Sequence, residues 1–179
     1  SAGARGISVV VAERGTDGFA VGDLEDLCGM RANPVSAIRL TDCRLPSDHL
    51  LAREGMGLKI GLAALDVGRM GIGAQSVGIA QAALEEAVRY ARQRHQFGVP
   101  LHRHQAIQAM IADMATQVTA ARLMVYQAAA LKDDHQPFAT QAAMAKLFAS
   151  ELAMRVIPCK KLLRGASGPM TEFSVPSYF

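Results

Sequence analysis

The sequence predicts an α+β fold that is predominantly α: a partial antiparallel β-domain followed by an up-down helical bundle. Two changes of grammar along the chain carry that expectation. Up to about residue 49, short branched apolar runs are punctuated by turn residues. From Gly55 the apolar residues instead recur at helical spacing. A third observation, the shortness of the polar connections between the helical stretches, makes those helices antiparallel neighbours.

The β elements come first. Ile7-Ser8-Val9-Val10-Val11 is a branched run that stops at the turn signal Arg14-Gly15-Thr16-Asp17-Gly18. A short strand around Phe19-Ala20-Val21 is expected next. Ser36 to Cys43 then alternates, with Ile38 and Leu40 on one face and Arg39 and Thr41 on the other. Three such strands cannot close a barrel and look like part of a larger sheet. The domain boundary is placed between residues 52 and 53, giving a β part at 1–52 and a helical part at 53–179.

In the helical part, Leu58, Leu62, Leu65, Met70, Val77, Ala80, Leu84, Ala87, Val88 and Ala91 mark one long helix running towards Arg94. Ile107, Met110, Ile111, Met114, Val118, Ala121 and Val125 mark a second, ended by the polar turn Asp133-Asp134-His135-Gln136-Pro137. A third runs from Phe138 to about Ile157, where Pro158 is expected to break or kink it by removing an amide donor. The first helix carries Gly57, Gly61, Gly68, Gly71, Gly73 and Gly78. Glycine weakens a helix, so close packing of a neighbouring helix is the expected reason for most of them. Met110, Met114, Met124, Met144 and Met154 are read as core filler.

Composition excludes several classes. Half of the 179 residues are apolar and a fifth are charged, which suits a globular chain, and a net charge of +3 leaves no electrostatic footprint for nucleic acid. No apolar run reaches the length of a membrane span. Cys28, Cys43 and Cys159 show no metal or redox spacing, and their odd number suits a reducing, cytoplasmic setting. Both ends of the chain look like cuts through a longer polypeptide.

The chemistry concentrates between the first two helices. Arg94-His95-Gln96-Phe97-Gly98 is followed by His104-Gln105-Ala106-Ile107-Gln108 and Ala112-Asp113-Met114. Arg94 offers a planar fork suited to a pyrophosphate. Gln96 and Gln105 add neutral donors and acceptors, Phe97 an aromatic face, and Gly98 a tight turn before Pro100. The same residues also suit an ordinary helix connection, with Arg94 favoured by the helix dipole. His95, His102 and His104 could in principle bind a metal, but histidines in a polar loop without Cys or carboxylates nearby are usually solvated.

Taken with the Gly29-Met30-Arg31 turn, Leu65-Asp66-x-x-Arg69 and the helix from Ala143 to Arg155, this loop closely resembles the acyl-CoA dehydrogenase family over residues 4 to 155. The resemblance implies the second half of a middle β-domain plus three of the four helices of a C-terminal bundle. It implies that Arg94, Gln96, Phe97, His104 and Gln105 touch FAD bound mainly by a neighbouring subunit, hence a homo-oligomer, a tetramer or dimer. Asp66 and Arg69 would hold the acyl-CoA. They share a helix face, and a local Asp–Arg ion pair is the blander reading of them.

The implied reaction is α,β-dehydrogenation of a fatty or related acyl-CoA thioester, with electrons passing to an electron-transfer flavoprotein. In most of the family the glutamate base lies beyond Phe179. In a subset it occupies the position of Gly68, which cannot act as a base. This chain alone is therefore expected to be inactive, with no catalytic residue of its own. Glu151 and Glu172 do not take that place. The tail departs further: where the family has Gln-x-His-Gly-Gly-x-Gly, this sequence has Leu162, Leu163, Arg164, Gly165, Ala166, Ser167, Gly168 and Pro169. The alternative is an inactive paralogue that keeps the bundle as an interaction or structural subunit.

Overall fold

The computed structural model describes residues 3–27, 29, 30 and 32–164, with side chains as far as Ile157. The tail at 165–179, including Glu172, lies outside them, as do Cys28, Arg31 and the Cys159 side chain. The chain divides into two compact units, one up to Ala64 and one from Leu65 onward.

In the first unit, Phe19–Leu24 (β1) pairs antiparallel with Ser36–Leu40 (β2), with Phe19 opposite Leu40 and Val21 opposite Ile38. The register shifts between Val21 and Leu24, the mark of a bulge. The alternation read at 36–43 is present, yet its apolar members Ile38 and Leu40 are exposed, as are Val21 and Leu24. These strands hold a face that the described residues leave uncovered. The run Ile7–Val11 forms no full strand. It makes one antiparallel bridge, Val10 to Leu50, flanked by bonds from Val11 N to the His49 carbonyl (2.9 Å) and from Leu51 N to the Val9 carbonyl (2.9 Å). Its turn falls where expected, with Thr16 N donating to the Glu13 carbonyl at 3.1 Å.

Three helices follow: Gly57–Gln93 (α1), Gln105–Asp133 (α2) and Ala139–Arg164 (α3). Together they form the expected up-down bundle. At 37 residues, α1 is about 55 Å long. Its C-terminal half carries the core: Val77, Ala80, Leu84 and Ala87 pack with Met114, Val118, Ala121 and Val125 of α2 and with Ala145, Ala149, Leu152 and Val156 of α3. Alanine dominates that seam, which brings the helix axes close. The apolar positions nearer the start of α1 differ: Leu58, Leu62 and Leu65 are exposed.

Three packing expectations are corrected. A side chain at Gly73 would meet Val125 Cγ2 at 3.3 Å, and one at Gly57 would meet the Ile7 backbone at 2.8 Å. Gly61, Gly68, Gly71 and Gly78, however, face open space, so among the described residues close packing of a neighbouring helix accounts for Gly73 alone, and Gly57 instead lies against the extended segment at Ile7. Met114 is buried and Met110 and Met124 pack at the core's edge, but Met144 and Met154 are exposed. Of the break or kink expected at Pro158, the break is absent, since α3 continues to Arg164. A proline removes a single amide donor, and the turns on either side keep theirs.

The α2–α3 connection stops where the polar turn predicted. His135 takes φ 55°, and its amide donates to the Lys132 carbonyl at 3.1 Å while the Gln136 amide donates to the Leu131 carbonyl at 2.8 Å. This is the paired-bond helix stop that a left-handed residue makes, with Pro137 just beyond it.

Candidate functional site

Between α1 and α2 the chain makes a two-residue hairpin. His95–Gln96 (β3) pairs antiparallel with Val99–Pro100 (β4). The connecting residues Phe97 and Gly98 both have positive φ, 54° and 81°, the condition of a type I′ turn. Gly98 meets that condition without steric cost. Phe97 does not, because a left-handed aromatic residue is disfavoured by about 1–2 kcal/mol. Burial offsets none of that cost, since Phe97 is 94% exposed. A strained residue holding a bare ring outward is an observation that asks for a ligand or partner.

The rest of the connection braces the hairpin. The Leu101 amide donates to the Arg94 carbonyl at 2.8 Å, closing its base. His104 Nε2 lies 3.3 Å from the Gln96 carbonyl oxygen, so the tautomer protonated there donates. The His104 ring meets Phe97 edge-on with centroids 6.1 Å apart. Gln108 Nε2 donates to the His102 carbonyl at 2.9 Å. His102 Nδ1 is buried and, among the described residues, has no hydrogen-bond partner. Sequence reading noted His102 only as a possible metal ligand and gave Gln108 no structural role. Their bracing becomes visible once the turn at 101–103 places them side by side. Among the described residues, no group of three or more His, Cys, Asp or Glu is placed to hold a metal ion.

Of the five loop residues singled out by sequence, the structure therefore brings Gln96, Phe97 and His104 into contact, with the exposed Arg94 at the hairpin base and Gln105 opening α2. His104 is the N-cap of α2, but its side chain caps nothing, and the first turn of α2 carries no acidic residue. An uncapped helix start with cations beside it is arranged for an anion. Asp66 and Arg69 stand on α1, where Arg69 Nη1 donates to Asp66 Oδ1 at 2.8 Å. In this structure they bind each other, which is the blander of the two readings. Arg69 also lines a groove between α1 and α3 with Thr140, Ala143, Met144 and Leu147.

The family model of the acyl-CoA dehydrogenase C-terminal domain matches residues 55–179. The chain belongs to the acyl-CoA dehydrogenase family. It is 43% identical over 175 residues to the short-chain specific acyl-CoA dehydrogenase of mitochondria from Rattus norvegicus, covering 98% of this chain and 42% of that protein. Among solved structures, butyryl-CoA dehydrogenase from Megasphaera elsdenii superimposes with a TM-score of 0.94 at 41% identity, over 98% of this chain and 46% of the other. A chain in a structural study of the electron transferring flavoprotein of Acidaminococcus fermentans gives a TM-score of 0.93 at 42% identity, again over 98% and 46%. The chain thus spans less than half the length of these relatives. Among its described residues, no helix is long and apolar enough to cross a membrane.

Proposed function

We propose that this chain is part of an FAD-dependent dehydrogenase that introduces an α,β double bond into a short-chain acyl-CoA thioester, acting as a homo-oligomer in a reducing compartment such as the cytoplasm. The observation that carries the proposal is the braced hairpin with its outward Phe97. It projects from the bundle at the position where the family resemblance calls for contact with a flavin nucleotide.

The residues present fit that cofactor. Arg94 and the uncapped start of α2 suit a pyrophosphate, Gln96 and Gln105 suit polar edges, and Phe97 offers a ring face. FAD, when bound, supplies the acceptor for the hydride leaving the acyl chain. What this chain's residues contribute is the holding and orienting of the nucleotide. Asp66 and Arg69 are assigned to the acyl-CoA: Arg69 is partly exposed and can turn one face of its guanidinium to an anionic ligand while keeping Asp66. No base is assigned in this chain, and Gly68 provides none. That one matching chain comes from a study of an electron transferring flavoprotein supports a partner of that kind here.

The direct test is made on the longer protein. It should purify with bound flavin, and anaerobic addition of a short-chain acyl-CoA should bleach the flavin absorbance and yield the enoyl thioester. Flavin-containing protein that neither bleaches nor forms product would overturn the dehydrogenase reading.

A second experiment separates a structural from a binding role for Phe97. Phe97→Asn places a favoured residue in the type I′ position and should raise stability by roughly 1 kcal/mol. Flavin retention should nevertheless fall. Retention that rises together with stability would show that Phe97 serves only the hairpin.

A further inference from the structure

Phe97 meets a difficulty that its strained backbone does not solve. With 94% of its surface exposed, the ring has almost no packing to hold it in one rotamer. A side chain that must be ordered at the moment of binding weakens the complex. His104 supplies what packing does not. Its ring stands 6.1 Å from that of Phe97, centre to centre, at an interplanar angle of 79°. This is an edge-to-face arrangement, one of the geometries that aromatic pairs prefer. His104 is itself half-buried, so it is the better sheltered of the two rings.

The backbone of His104 is fixed where that ring is needed. Its amide donates to the Leu101 carbonyl at 3.0 Å, and its own carbonyl accepts the amides of Ile107 at 3.0 Å and Gln108 at 3.1 Å. It thus opens α2 as N-cap, a place where Ser, Thr, Asp or Asn would satisfy an orphan amide. The imidazole caps nothing and turns back over the hairpin to the Gln96 carbonyl and the Phe97 ring. A side chain that forgoes its helix for its hairpin departs from local preference, which is the mark of a functional position. Of its two holds, the ring contact is the firmer. The 3.3 Å separation from the Gln96 carbonyl oxygen lies just beyond the usual range for such bonds, and the pair is exposed, so water can take its place.

We propose that His104 is a positioning residue for the flavin nucleotide. It acts through Phe97, keeping that ring in one orientation so that its open surface is preset for a flat aromatic ligand, rather than by the direct contact that the resemblance calls for. The inference rests on the cofactor reading given above and divides the roles within it: Phe97 makes the contact and His104 orders it beforehand. An edge-to-face partner needs a ring and no particular donor, so another aromatic residue at position 104 does the same work.

The test is made on the longer protein, stripped of flavin and titrated with FAD. His104→Ala removes no cap from α2, so the melting temperature should barely change while the Kd for FAD rises roughly two- to tenfold, the worth of one edge-to-face pair. His104→Phe restores the ring without the donor and should return the Kd to the wild-type value. In a Phe97→Asn background, His104→Ala should cause no further loss, because the ring it orders is gone. Four results would each overturn the proposal: an unchanged Kd for His104→Ala, no rescue by His104→Phe, a large fall in melting temperature, or an equal loss in the Phe97→Asn background. Phe97→Asn by itself reads the cofactor assignment. A Kd that it leaves unaffected removes the hairpin from the flavin site and this proposal with it. A Kd that it weakens, with His104→Ala neutral, keeps the site and overturns the role of His104 alone.

Discussion

Truncating Leu152 to alanine is expected to cost about 2–5 kcal/mol of stability, enough to unfold a marginal domain at physiological temperature. Leu152 is fully buried and has the largest side chain among the fully buried residues. Seven of the fourteen buried members of its core are alanines, whose short side chains cannot swing in to fill the space it would leave. The cavity therefore persists and the cost belongs in the upper part of that range. Ile111 on α2 makes the contrast. It packs at the edge of the core and is only partly buried, so its truncation should cost distinctly less. Urea unfolding monitored by helical circular dichroism checks both, with a shifted midpoint and unchanged slope. Equal losses at the two positions would mean that the core is not centred on α3.

Replacing Arg94 with alanine should do the opposite: flavin retention falls while the fold persists. Arg94 is exposed, and its backbone bonds from the amide to the Tyr90 carbonyl and from Leu101 to its own carbonyl do not depend on its side chain. Removing the guanidinium therefore leaves the hairpin closed. If it donates to a pyrophosphate, the loss of a charged hydrogen bond is worth about 1.5–3 kcal/mol, or roughly ten- to more than a hundredfold in affinity. The check is flavin per protomer after gel filtration, set against melting temperature. Full flavin with normal stability would remove Arg94 from the site, and a large drop in melting temperature would mark it as structural.

The long helices were legible in the sequence because their signal is local and repeated. One stripe, Met114-Val118-Ala121-Val125, falls on the buried face of α2, and the polar run ending in Pro137 coincides with its stop. The hairpin loop was legible as a motif, but its turn geometry was not. Phe97 in a left-handed position contradicts local preference, and a residue placed against preference is invisible to rules built on preference. Leu58, Leu62, Leu65, Met144 and Met154 fit the periodicity and are nevertheless exposed. Periodicity reports that a face is apolar without naming what covers it. The hydrogen bond from Arg122 Nη2 on α2 to Gln81 Oε1 on α1 joins residues far apart in sequence, so no short-range pattern announces it. Asp66 and Arg69 were readable as neighbours from spacing alone, and they do pair. Spacing could not tell whether the pair waits for a ligand or simply satisfies itself.

The alanine seam has a mechanical meaning as well as a thermodynamic one. The stretch of α1 from Val77 to Ala91 is seated on it, and the hairpin begins only a few residues further along the same helix. Because a close-packed seam resists added volume, one extra methyl group there would tilt the helix sooner than compress the interface. The hairpin stands at the end of that lever. Its aim is thus set by the thickness of side chains that touch no ligand, and the seam serves as a gauge that fixes where a distant ring points.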